Sequence, residues 1–274
     1  MNICRYKNRF PGLCFLVLTL FVAGCATSPT GQRQLKLFPD SQMAKMGVTA
    51  FEDIKKNTPR SNDPAINNYV SCVANAVYKT VDSSIQWELV VFDDPAVNAF
   101  ALPGGKIGVY TGLLNVASNQ HQLAAVIGHE IAHVLADHGN ARVSTAYATQ
   151  TGLQLAQILS GAPSAQKTQL LGLLGLGAQY GVLMPYGRSQ ESESDILGLQ
   201  MMARAGFNPE ESVTLWKNMA KAAGKQPPEF LSTHPSSESR IKLLSENMPA
   251  AKELYKKAQA KGLNPECENP LAKS

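Results

Sequence analysis

Residues 128–138 read GHEIAHVLADH, and no other stretch limits the fold as much. Leu123, Ile127, Ile131 and Val134 recur at helical spacing and form one apolar stripe, so residues 119–138 are expected to form a buried helix. Such a helix normally buries leucines, yet this one also carries His129, Glu130 and His133. His129 and His133 stand at i and i+4, one turn apart on one face, so both imidazoles can point at one metal ion. Glu130 is turned by about 100° from His129 and can reach a metal-bound water instead of the metal. The alternative is a pair of satisfied core histidines. It would leave three ionisable groups buried together with no metal, at a cost of several kcal/mol.

In the H-E-x-x-H spacing, zinc lowers the pKa of bound water and the glutamate takes its proton. A catalytic zinc needs a third protein ligand and an open fourth position. The metzincin pattern would need Gly at 136 and His at 139, where this chain has Ala136 and Gly139, so that class is excluded. His138 falls on another helical register and is read as a C-terminal charge or cap. The remaining acidic candidates lie in GRSQESESDILGLQMMARAG, expected as a helix from about 188 to 206. Its inward face runs through Glu191, Asp195, Gly198, Leu199 and Met202. Glu191 is therefore preferred as third ligand over Glu193, which lies about 200° round, beside Gln200 and Arg204. Asp195, one turn from Glu191, can accept a hydrogen bond from the free N–H of a ligand histidine.

The N-terminus belongs to a different class of sequence. Arg5, Lys7 and Arg9 precede an apolar run that ends in LFVAGC, which makes residues 1–24 an export signal. The apolar run is short for a transmembrane span. The cysteine at the cut resembles the lipobox of bacterial lipoproteins, with Cys25 as the lipidated first residue. Ala26, by resemblance to lipoprotein sorting, implies the bacterial outer membrane, facing the periplasm. Loss of 1–24 removes three basic residues, taking the net charge from +4 to about +1, so there is no electrostatic footprint for nucleic acid. Cys72 and Cys267 then remain as a candidate disulfide, or as two unrelated thiols.

Residues 25–40 lack periodicity and are expected to be a lipidated tether, followed by a folded domain over 41–262 and a tail over 263–274. Helical patterns cover 41–56 and 64–81. IQWELVVF, at 85–92, reads as a strand, and NAFALPGGKIGVYTG as two short strands around a turn at Pro103 and Gly104. Beyond Gly112 nearly everything reads as helix. Residues 150–186, rich in Leu, Gly, Ala and Gln, read as a core hairpin of small-residue helices in preference to a mobile flap. No internal repeat is present.

HExxH on one helix and ExxxD on a second, with HPSSESR behind, resemble the M48 peptidase family in its small periplasmic lipoprotein branch, over residues 41–248. The resemblance implies an α+β, mainly α-helical minigluzincin fold with a small sheet, one zinc ion and endopeptidase activity. Ser194 departs from it, since alanine is expected before the aspartate. The resemblance gives Asn98, Ala99, Phe100, Ala101 and Leu102 the role of an edge strand that pairs with extended substrate; an ordinary hairpin is the alternative. His234 could stabilise the oxyanion or take the fourth zinc position, or cap the helix that follows Pro235. Arg240 could pair with an acidic group near the site or be solvated, and His121 is expected to be solvated.

Expected partners are polypeptides, with misfolded or stalled envelope proteins implied by resemblance, the outer membrane through lipid at Cys25, and outer-membrane assembly machinery. A zinc-stabilised assembly factor or chaperone with a latent site is the competing reading. A serine hydrolase is not supported, because no G-x-S-x-G elbow is present.

Overall fold

The computed structural model describes residues 25–81, 84–159, 186–222, 229–234 and 238–271. The expected leader and most of the expected hairpin at 150–186 lie outside the described residues. Among the described residues, no helix is long and apolar enough to cross a membrane.

Helix α1, Asp40–Asn57, buries Met43, Gly47, Ala50 and Phe51 at helical spacing. Helix α2, Pro64–Tyr78, starts with proline at its first position, where a missing N–H costs nothing, and the Asp63 side chain accepts from the Ala65 and Ile66 N–H groups. Three strands follow: β3, Glu88–Phe92; β4, Ala99–Leu102; and β5, Lys106–Tyr110. Their order is β3-β5-β4, with β5 parallel to β3 and antiparallel to β4. Gly104 and Gly105, at φ 84° and 75°, make the turn from β4 to β5. Among the described residues, one edge of strand β4 therefore has no strand paired to it.

Helix α3, Gln120–Leu135, is capped by Asn119, whose side chain accepts from His121 and Gln122. It carries Leu123, Ile127 and Ile131 into the core, all fully buried. Each such side chain contributes about 1.5–3 kcal/mol. The sequence suggested one helix through His138. Instead, Asp137 adopts the left-handed conformation at φ 55°, and a new helix, α4, His138–Leu159, starts directly after it. His138 is thus the first residue of a second helix and not a cap of the first.

Helix α5, Arg188–Arg204, crosses α3 at two glycines: a Cβ on Gly198 would lie 2.8 Å from His129 N, and one on Gly128 would lie 2.9 Å from Gly198 O. Helices α6, Glu211–Ala222, α7, Glu229–Thr233, and α8, Glu238–Ala260, follow. Cys72 on α2 and Cys267 after α8 form a disulfide with Cα atoms 5.8 Å apart, which ties the tail to the body.

The stretch expected to be a tether is docked. Strands β1, Cys25–Thr27, and β2, Arg33–Leu35, form an antiparallel hairpin. Gln34 Nε2 in β2 donates to Ala136 O at 2.7 Å, and beyond the hairpin Leu37 N donates to Ser144 Oγ at 2.9 Å and Asn140 Nδ2 to Phe38 O at 2.7 Å. Strands of three residues are too short to leave a periodic signal, and their partners lie about a hundred residues away.

Candidate metal centre and active site

The close α3/α5 crossing brings the two acidic and basic sets together. His129 Nε2 and His133 Nε2 are 3.0 Å apart, Glu191 Oε2 is 3.5 Å from the first, and Glu191 Oε1 is 3.5 Å from the second. His234, at the end of α7, adds Nδ1 at 3.2 Å from His129 Nε2 and 3.1 Å from Glu191 Oε1. The four side chains form one buried group whose candidate donor atoms lie within 4.8 Å of one another. Zinc held tetrahedrally at about 2.05 Å would need its ligand atoms about 3.3 Å apart, so this donor set fits zinc.

Glu130 stands outside the group, as the sequence suggested. Its Oε2 accepts the Ala101 N–H at 3.0 Å, and its Oε1 lies 3.4 Å from His234 Nε2. Burial pushes its carboxyl up to about 8, against the pull of His129. Burial also opposes charge on Glu191, but hydrogen bonds from His129, His133 and His234 hold that carboxyl far below the usual range. Burial would lower His129, yet Asp195 and Glu191 raise it to about 9. Burial keeps His133 well below its ordinary value and brings His234 down to about 4. Burial thus favours the neutral form of His133 and His234, the form in which an imidazole can hold a metal ion.

Asp195 Oδ1 lies 3.1 Å from His129 Nδ1 and fixes which ring nitrogen faces the cluster. Arg240 clamps Asp195 from behind through Nε and Nη2, both at 2.6 Å, and its guanidinium lies 3.8 Å from the Trp216 ring centroid. It also forms an ion pair with Glu191 through Nη1. His121 is half-buried, not solvated: its Nδ1 accepts from Asn208 N at 3.2 Å.

The structure adds residues that the sequence did not single out. Tyr186 stacks on His133 with ring centroids 3.6 Å apart and is itself covered by Arg142, 3.6 Å from its centroid. Phe230 stacks on His234 at 4.4 Å. Nothing in the local pattern marks them, because each acts through a contact made across the fold. Glu193 is buried, as is His138, and the two meet at 3.2 Å. Glu193 thus lies about 200° round the helix from Glu191, as its spacing implies, but that side is buried here.

Strand β4 has its unpaired edge beside Glu130, but that edge is buried. Asn98 just before it and all four strand residues are covered, and Tyr186, Thr233 and His234 line the remaining space of ≈ 10 Å³, about the size of one water. A second cavity of ≈ 390 Å³ opens beside Leu102 and His133, with Met43, Met46, Ala50 and Val134 on its wall.

An HExxH helix, a glutamate from a second helix in the same donor group and a further glutamate beside the cluster together define a zinc-peptidase domain. The chain belongs to peptidase family M48, whose model matches residues 63–248. It is 36% identical over 213 residues to the mitochondrial metalloendopeptidase OMA1 of Saccharomyces cerevisiae, covering 72% of this chain and 59% of that protein. It is 38% identical over 172 residues to OMA1 of Schizosaccharomyces pombe, covering 62% and 49%. Against the beta-barrel assembly-enhancing protease of Escherichia coli it is 29% identical over 208 residues, covering 73% and 42%. The chain spans about half the length of the curated relatives it matches. The mitochondrial relatives overturn the expected bacterial outer-membrane location, which rested on the export-signal pattern of residues 1–24, the lipobox resemblance at LFVAGC and Ala26, all outside the matched domain.

Proposed function

We propose that this protein is a zinc-dependent endopeptidase that cleaves extended polypeptide, with Glu130 as the general base and acid. The observation that carries this reading is the position of Glu130, buried beside the four-donor cluster yet bonded to the backbone of the edge strand. His129, His133 and Glu191 hold the metal. Bound zinc supplies a Lewis acid for the scissile carbonyl and makes a coordinated water acidic.

Everything else is done by the chain. The free edge of β4, from Asn98 to Leu102, takes the substrate backbone as an added strand. Glu130 takes a proton from the attacking water and delivers it to the leaving nitrogen. Asp195, locked by Arg240, keeps the His129 ring aligned. The conformation described here is a resting one, because His234 and Tyr186 cover the edge that substrate needs; His234 moves from the cluster to the developing oxyanion when substrate enters. The 390 Å³ cavity next to Leu102, with its two methionines, takes an apolar substrate side chain. Unfolded proteins, which expose such side chains on extended backbone, are the substrate class this fits.

Glu130→Gln tests the reading. The variant keeps the zinc ligands and should bind zinc as the wild type does, while casein cleavage falls by about 10² to 10⁴. Cleavage at the wild-type rate by the zinc-loaded variant would rule out this role for Glu130. An assembly factor with a latent site is the second reading, favoured by the covered edge of β4. It would take over if the zinc-loaded wild type cleaved no unfolded protein.

A further inference from the structure

Two buried ionisable groups have no part in the reaction described above. His138 and Glu193 are 0% and 1% exposed, and a buried imidazole and carboxylate persist only when their hydrogen bonds are complete. Theirs form a chain that ends on a metal ligand. His133 Nε2 faces the cluster, so in the metal-holding tautomer its Nδ1 carries the proton. That nitrogen is 3.0 Å from His138 Nδ1, which must accept. His138 then carries its own proton on Nε2, 3.2 Å from Glu193 Oε2. The other oxygen, Glu193 Oε1, accepts from Thr30 twice, from the backbone N–H at 3.0 Å and the hydroxyl at 2.8 Å. The Ser194 hydroxyl lies 3.3 Å from the same His138 Nδ1 and can donate to it beside His133.

We propose that His138 and Glu193 are positioning residues for the zinc ligand His133, and that the N-terminal hairpin carrying Thr30 completes the metal site. The arrangement parallels that of His129, whose Nδ1 meets the carboxylate of Asp195 directly. On the His133 side the carboxylate is further away, and His138 bridges the gap. The break at Asp137 makes this geometry available, since it starts α4 at His138 and turns that ring back toward the cluster. One helix, α5, thus supplies the ligand Glu191 and the orienting carboxylates of both histidines, Asp195 directly and Glu193 through His138. The coupling to Thr30 means that the hairpin of residues 25–35 bears on how firmly the metal is held. This inference rests on the zinc site of the proposed function, but not on the protein's being a peptidase.

The test is zinc affinity of the folded protein, measured by competition with a chromophoric chelator, together with the visible spectrum of the cobalt-substituted form. His138→Ala and Glu193→Ala should each weaken zinc binding by about 10- to 100-fold and change the cobalt spectrum. The double variant should be no weaker than the worse single one, because both break the same chain. His138→Gln, which keeps an acceptor and a donor on one amide, should recover most of the loss, and Thr30→Val should produce a smaller loss. A purely structural pair would instead lower the folded fraction and leave the zinc affinity and spectrum of the folded molecules unchanged, and that result would overturn the proposal. If the alanine variants do not fold, Glu193→Gln and Thr30→Val decide it: wild-type affinity in both overturns it, and weakened binding in both upholds it. A wild type that binds zinc tightly yet cleaves nothing would sink the peptidase reading while leaving these affinity differences in place.

Discussion

Gly128 and Gly198 touch where α3 crosses α5, and this contact sets the distance between the histidines and Glu191. A Cβ on Gly198 would stand 2.8 Å from His129 N and 2.9 Å from Gly128 C, both backbone atoms that cannot swing aside. Alanine is worth about 1 kcal/mol over glycine inside a helix, but overpacking typically costs about 1–3 kcal/mol. Gly198→Ala is therefore expected to lower stability and to weaken zinc binding, because it pushes the ligands of one helix away from those of the other. Chemical denaturation and zinc titration check both effects; a variant more stable than wild type with unchanged affinity would contradict the packing argument.

Glu191→Ala removes a proposed ligand, whereas substitutions at Glu193 would only disturb a proposed orienting group. Zinc at about 1,000 times its dissociation constant should stabilise the wild type by about 4 kcal/mol, and chelator should abolish that gain. In Glu191→Ala the gain should be far smaller than in any Glu193 variant. Thermal unfolding with and without zinc measures it, and a larger loss at Glu193 would reverse the assignment.

Arg240 neutralises Asp195 and Glu191 in a buried setting. Its replacement by alanine leaves uncompensated charge, which typically costs about 3–5 kcal/mol. Arg240→Lys should not restore stability, since an ammonium cannot make the bidentate contact to Asp195 or the planar stack on Trp216. Equal stability of the lysine variant and wild type in a urea titration would show that charge alone matters here.

The disulfide between Cys72 and Cys267 spans 195 residues of sequence. The chain-entropy model gives about 5 kcal/mol for a loop of that length, as an upper value. Cys267→Ser should lower the unfolding midpoint clearly, and a reductant should shift the wild type toward the variant while leaving the variant itself unchanged. Identical midpoints for both proteins under oxidising conditions would mean that the bond adds nothing.

Several parts of this protein were readable in one dimension because they depend on local periodicity. The i, i+4 spacing placed His129 and His133 on one face of a helix. Glu191 and Asp195 followed from the same geometry on α5, and the Pro103–Gly105 turn marked the hairpin that carries the edge strand. Cys72 and Cys267 were noticed by count alone; only the fold brings their Cα atoms to 5.8 Å.

What the sequence determined by itself was therefore the set of groups available: two imidazoles and a carboxylate on one helix, two carboxylates one turn apart on another, and a sheet edge before them. Tertiary structure decided how that chemistry is held. The left-handed turn at Asp137 divides a run that reads as continuous helix and turns His138 inward, a change of one backbone dihedral that no periodicity records. Glu193 is buried because His138 and Thr30 come to meet it from 55 and 163 residues away, although its helical angle turns it away from Glu191. Tyr186 and His234 cover the edge of β4 through contacts between distant segments. Helical and strand periods report which face a residue occupies; whether that face meets solvent, a cation or another buried side chain depends on packing between elements far apart in the chain.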